Sequence, residues 1–176
     1  MPYAWIGIGS NVGDREGYVR QALGALAALP GTEVTGVSSL YETAPVGMTE
    51  QERFINAVAE LTTEIPPLDL MRRLLAIEKE NGRERWERWA PRTLDLDLLI
   101  YEDVEMESQE LTLPHPRARG RAFVLVPLAE VAPELRFPGD SVTVARIVEG
   151  LGDLGDYVRA VDGPPEEPLP ERPAGS

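Results

Sequence analysis

Arg83-Glu84-Arg85-Trp86-Glu87-Arg88-Trp89-Ala90-Pro91-Arg92-Thr93-Leu94-Asp95-Leu96-Asp97-Leu98-Leu99-Ile100-Tyr101 joins an arginine- and tryptophan-rich loop to a short apolar run that holds two aspartates. Residues 94–101 have the length and content of a β-strand. Side chains alternate along a strand, so Asp95 and Asp97 share one face while Leu94, Leu96 and Leu98 take the other. A strand that buries its leucines and still holds two carboxylates side by side needs a partner for them, because unpaired charge is costly to bury. Two such carboxylates beside an arginine-rich loop suit divalent metal ions bound to a polyphosphate.

Taken alone, Asp-Leu-Asp reads equally well as a half-exposed strand with a solvated face. The arginine loop reads as a surface turn whose ion pairs contribute little. The two together are harder to dismiss. In a chain of net charge −13, four of the sixteen arginines fall within ten residues, and that local concentration points to an anionic partner.

Upstream of this stretch, Pro66-Pro67 opens a helix with Leu68, Met71, Leu74 and Leu75 on its apolar side, and Asn81-Gly82 ends it. Residues 53–63 alternate. Ile55, Ala57, Ala59 and Leu61 form a core face; Phe54, Asn56, Val58 and Glu60 form the other. An aromatic ring and a side-chain amide pointing the same way can stack on a flat heterocycle and hydrogen-bond its edge. A cross-strand aromatic beside a capping amide is the plainer alternative. Further upstream, residues 3–9 and 32–41 read as strands. A helix over 14–29, with Val19, Ala22, Leu23, Leu26 and Leu29 at helical spacing, lies between them and stops at Pro30-Gly31. Gly9-Ser10-Asn11-Val12-Gly13-Asp14 is a turn into that helix and matches neither a P-loop nor a dinucleotide fingerprint.

Downstream, residues 102–110 form an acidic connection with a short hairpin in it. Leu113-Pro114-His115-Pro116 follows, and its prolines fix the backbone around the only histidine. With Arg117, Arg119 and Arg121 after it, that histidine is a candidate phosphate contact. Residues 122–128 are apolar, as a short helix or a buried strand, and 142–151 read as a last helix. From position 163 there are five prolines in fourteen residues and few apolar groups, a composition expected to be disordered. The expected organisation is one domain over 1–162 and a Pro-rich tail over 163–176.

At 176 residues, 43% hydrophobic and 27% charged, the composition is that of a globular domain with a full core. There is no cysteine, which excludes disulfides and thiolate metal sites. The N-terminus enters a strand pattern without a basic segment or cleavage site, and no apolar run reaches membrane-spanning length, so a cytoplasmic protein is expected. The acidic balance argues against a nucleic-acid partner, and nothing in the chain signals an obligate protein partner.

In this order and with similar spacing, Gly9-Ser10-Asn11, Tyr41-x-Thr43, Phe54-x-Asn56, Gly82-Arg83-x-Arg85, Arg88-Trp89-x-Pro91-Arg92-Thr93-Leu94-Asp95-Leu96-Asp97, Pro114-His115-Pro116 and Arg121-x-Phe123 resemble the 6-hydroxymethyl-7,8-dihydropterin pyrophosphokinases. The run ending in Asp-Leu-Asp is the most specific of these; the others are weak singly. The resemblance covers about residues 3–137. It implies an α+β, ferredoxin-like antiparallel sheet with helices packed on it. ATP is the implied donor and a reduced hydroxymethylpterin the acceptor, with AMP leaving. Asp95 and Asp97 are the implied ligands of two Mg2+ ions, and Arg83 and Arg92 the implied partners of the transferring phosphates. Glu78, Arg85, Arg92, Thr112, His115 and Arg121 would bind ATP. Thr43, Val46, Phe54, Asn56, Trp89 and Phe123 would form the pterin slot.

Two residues depart from the family pattern: Ala90 replaces a usual glycine, and Glu110 stands where some relatives have a basic residue. Two alternatives remain for the chemistry. A two-metal nucleotidyltransferase would release pyrophosphate rather than AMP. A non-catalytic nucleotide-binding module would tolerate loss of an aspartate or of the paired arginines, and this chain keeps both.

Overall fold

A computed structural model describes residues 1–10, 15–43, 54–81, 94–152 and 158–161. Its centre is an antiparallel sheet. Strand β1 (Tyr3–Ser10) lies between β4 (Phe54–Thr63) and β5 (Asp95–Tyr101). On the far side of β4, β2 (Thr32–Val37) pairs with its second half and β3 (Tyr41–Thr43) with its first. The order runs β5-β1-β4-β3-β8, where β8 (Val158–Ala160) is an edge strand on β3. Every pairing among the described residues is antiparallel.

Both faces of this sheet are covered, and for that reason β1, β4 and β5 are apolar on each side. Helices α1 (Arg15–Ala27) and α2 (Pro67–Glu80) cover one face. There Ile6, Ile8, Ile55, Ala57, Leu61, Leu96 and Leu98 pack with Leu23, Leu26, Leu70 and Leu74. Helix α3 (Ala122–Val131) covers the other, seating Leu125 and Leu128 with Trp5, Val58 and Leu99. Thr143 caps α4 (Val144–Glu149), its Oγ1 accepting the Arg146 N–H, and α4 packs on α3. A small hairpin of β6 (Met106–Glu107) and β7 (Thr112–Leu113) starts in the acidic connection and closes just beyond it. The α+β antiparallel architecture is the one expected.

Three local expectations need correction. The strand expected over 32–41 is two strands. The chain leaves β4 after Val37, and Ser38 fills the break: its N–H donates to Val58 O and its Oγ accepts the Val58 N–H. The buried side of α2 is Leu70, Leu74 and Ile77, while Leu75 is 38% exposed. Residues 122–131 are a helix, one of the two readings open for this run, and Pro127 lies inside it. The last helix is shorter than 142–151, and the tail over 163–176 lies outside the described residues.

Candidate active site

The sheet places the two expected sites on one face. Tyr41 opposes Asn56, Asn56 opposes Gly9, and Gly9 opposes Asp95, so one row crosses four strands. The next row is Val58, Gly7 and Asp97. Opposed residues point the same way, so Asn56, Asp95 and Asp97 share the face on which α3 packs. With strands ~4.8 Å apart, the backbones of Asn56 and Asp95 are separated by about 10 Å. Gly9 leaves the space between them open. A methyl group there would lie 3.0 Å from Asn56 Oδ1.

Asn56 is buried, and Phe54 is half-buried two residues before it on the same face. Asp95 and Asp97 are half-buried, with fully buried Leu96 between them on the core side. Two partly accessible carboxylates on one strand face form a hard-oxygen donor pair suited to Mg2+. Among the described residues, no third histidine or acid joins them in a cluster.

The Glu78 carboxylate reaches β5 from α2. It is buried, and its Oε2 accepts the Leu96 N–H at 2.8 Å. This contact ties α2 to the strand between the two aspartates.

His115 is fixed against the same strand, its N–H donating to Leu99 O at 2.8 Å. Its Nδ1 accepts the Arg117 N–H at 3.2 Å. Burial lowers the His115 pKa; the Asp97 carboxylate pulls it upward, and Arg121 and Arg117 add to the lowering. His115, Asp97 and Arg121 therefore lie within electrostatic reach of one another. The Arg121 guanidinium sits over the Phe123 ring, 5.4 Å from its centroid, and Phe123 packs on the α3-side core. A cleft of about 350 Å³ opens beside His115, between Pro116, Arg119, Phe137 and Asp140. Thr112 is half-buried in β7, which contacts β5. Glu110 is held by Arg72 of α2 through two hydrogen bonds of 3.2 Å.

Of the expected site residues, the structure thus gathers Asn56, Phe54, Asp95, Asp97, His115, Arg121 and Phe123 around the α3 side of the sheet. Glu78 reaches β5 from the other side, and Thr112 lies in β7 beside β5. Thr43 is placed in β3 opposite Phe54. Val46, Arg83, Arg85, Trp89 and Arg92, and the substituted Ala90, lie outside the described residues.

Residues 5–133 match the family described as 7,8-dihydro-6-hydroxymethylpterin-pyrophosphokinase. The chain belongs to this family. Among its relatives is the 2-amino-4-hydroxy-6-hydroxymethyldihydropteridine pyrophosphokinase of Methylorubrum extorquens, 45% identical over 145 residues, which cover 82% of this chain and 92% of the relative. The enzyme of that name from Bacillus subtilis is 46% identical over 132 residues, 75% of this chain and 79% of the relative. The fold is also that of wild-type HPPK-DHPS from Plasmodium falciparum, with a TM-score of 0.68 at 14% identity. That match covers 85% of this chain and 44% of the Plasmodium chain, so this chain spans less than half of that protein.

One residue of the site region escaped sequence reasoning. Glu130 of α3 accepts hydrogen bonds from the Ser39 N–H at 2.9 Å, from Ser39 Oγ at 2.6 Å and from the Tyr41 hydroxyl. The signal was present: Glu130 is the only charged residue in the apolar run Ala122–Val131.

Proposed function

We infer that this chain transfers a pyrophosphoryl group from ATP to the hydroxymethyl group of 6-hydroxymethyl-7,8-dihydropterin, releasing AMP, a step of folate biosynthesis. Family membership supports the reaction. The observation that carries it to particular residues is the row Asn56–Gly9–Asp95, with Asp97 in the next row: a flat-ring recognition group and a carboxylate pair on one face. The pterin hydroxyl oxygen bonds to the β-phosphorus, the bond from that phosphorus to the α,β-bridging oxygen breaks, and AMP leaves with that oxygen. The hydroxyl proton passes to solvent.

Asp95 and Asp97 would hold two magnesium ions, and the donor pair fits that cation. Bound magnesium supplies positive charge that offsets the polyphosphate and orients it for in-line attack. Asn56 hydrogen-bonds the pterin edge, Phe54 and Phe123 offer ring faces, and Thr43, Val46 and Trp89 are assigned to the slot by the sequence resemblance alone. His115 and Arg121, within reach of Asp97, bind the phosphates from the far side. A mostly neutral imidazole, as burial favours, donates a single hydrogen bond there. Glu78 braces β5 from the opposite face through the Leu96 N–H, and Thr112 is assigned to ATP by the sequence resemblance. Arg83, Arg85 and Arg92 pair with phosphate oxygens; their assignment rests on the sequence motif.

The test is incubation of the protein with ATP, magnesium and the hydroxymethyl dihydropterin. AMP together with the pterin diphosphate ester is the expected product pair. Release of pyrophosphate would mean attack at the α-phosphorus and a nucleotidyltransferase.

A further inference from the structure

We propose that Glu130 is a positioning residue for the pterin: it fixes the short strand β3 and the Tyr41 ring against Asn56. The inference rests on the assignment of the pterin to the Asn56 face.

Strand β3 is only three residues long, and its ladder with β4 is limited to Tyr41–Asn56, Glu42–Ile55 and Thr43–Phe54. Two of the three residues it opposes, Asn56 and Phe54, are therefore those assigned to pterin recognition. Three pairings with β4, and three more with the equally short edge strand β8, do not hold a register firmly, and the strand begins just after the break at Ser38. Glu130 supplies what the ladder lacks. Its Oε1 takes both donors of Ser39, and its Oε2 takes the hydroxyl of Tyr41. One carboxylate on a packed helix thus grips both the segment leading into β3 and the tip of the strand's first side chain.

Tyr41 points to the same face as Asn56, with β-carbons ~5 Å apart as cross-strand neighbours. The ring is thus the flank of Asn56 on the side away from Gly9. Held at its hydroxyl by Glu130, it cannot swing, and Asn56 keeps one orientation. Side-chain precision of this kind decides whether a binding group is effective. The rest of α3 is anchored independently, through Leu125 and Leu128 in the core, so the helix does not depend on Glu130 for its place.

The experiment measures three quantities on the full chain and on its Glu130→Gln, Glu130→Ala and Tyr41→Phe variants. These are calorimetric Kd for 6-hydroxymethylpterin, Kd for a magnesium complex of a non-hydrolysable ATP analogue, and melting temperature. Glu130→Ala is expected to raise the pterin Kd about tenfold or more and to leave the nucleotide Kd within about twofold, as expected when buried donors lose their acceptor. Glu130→Gln keeps one oxygen for Ser39 and can meet Tyr41 only by donating its amide N–H to the hydroxyl oxygen, so its pterin Kd should rise no further than that of Tyr41→Phe. Combining those two changes should add nothing further. If Glu130→Ala does not fold, the Gln variant and the double variant decide. Equal losses for both ligands, or a lower melting temperature with an unchanged pterin Kd, would show Glu130 to be merely structural and overturn the proposal. Asn56→Ala runs beside these variants. An unchanged pterin Kd there removes the slot assignment and this inference with it, whereas a weakened Kd in Asn56→Ala alone overturns only the role of Glu130.

Discussion

Asn56 and Asp95 face the same side of the sheet from strands two apart, and the residue between them is Gly9. The absence of a side chain at that position leaves nothing between the amide proposed to recognise the pterin ring and a carboxylate proposed to hold metal. Gly9→Ala tests the relationship. The added methyl would sit 3.0 Å from Asn56 Oδ1 and would force the amide to move by a few tenths of an ångström. The expected result is a pterin KM raised about tenfold, the effect of one weakened buried hydrogen bond, with the ATP KM unchanged. An unaltered pterin KM would mean that Asn56 does not meet the ring.

Asn56→Ala makes the same point by deletion. The amide is buried, so its loss leaves a ligand group unpaired, at a cost of about 1–3 kcal/mol in pterin affinity. Nucleotide affinity should be retained. Calorimetry showing equal losses for both ligands would place the amide outside the pterin slot.

Asp97→Ala addresses the metal. Asp97 is half-buried on the α3 face, while the core is filled by Leu96 and Leu98 on the other, so the variant should fold. Turnover should fall by about 10²-fold or more, as when a group stabilising transition-state charge is removed. Near wild-type turnover at modest magnesium would exclude Asp97 as a ligand.

These tests fall on residues that were legible in the sequence, for a physical reason. Alternation over Phe54–Thr63 and Asp95–Tyr101 assigns each side chain to a face without knowledge of the partner strand. What alternation cannot give is which strands are neighbours. That Asn56 and Asp95 lie in one row depends on the pairing of β1 with both, which is long-range information. The break at Ser38-Ser39 was hidden for a related reason. Neither residue is a glycine or proline, and the interruption is stabilised by contacts with Val58 and Glu130, 20 and 91 residues away. The exposed Leu75 shows the limit of helical periodicity, since Leu74 beside it is the one buried. Strand β8 carries no local signal because three residues become a strand only by pairing with β3.

Tyr41 predicts a pH dependence. Burial, and then the Glu130 carboxylate that accepts its hydroxyl, raise its pKa above the ordinary value near 10. The unfolded chain therefore releases this proton at lower pH than the folded chain does. The stability contributed is fully present below about pH 10 and is lost as pH rises beyond it. Wild-type melting temperature should fall between pH 9 and 11.5 more steeply than that of Tyr41→Phe, so the gap between them closes. Parallel curves would mean that Tyr41 ionises equally in both states.

The chain's end gives the last prediction. Val158–Ala160 pairs with β3 on the side away from β4, and the Val161 N–H donates to Leu40 O at 2.8 Å. Strand β8 therefore holds the outer edge of the segment that Glu130 holds from above. Removing residues 163–176 spares every one of these bonds, so melting temperature and both KM values should stay as they are. Removing residues 153–176 takes β8 away and leaves β3 with a single neighbour. The longer truncation should lower the melting temperature, by about 2–4 °C for each kcal/mol lost in a chain of this size. It should also raise the pterin KM while sparing the nucleotide KM, because β3 opposes Phe54 and Asn56 and lies away from Asp95. A drop in melting temperature on the shorter cut would show that residues 163–176 contribute to the fold. A longer cut that leaves the pterin KM intact would show that β3 keeps its register without an edge partner.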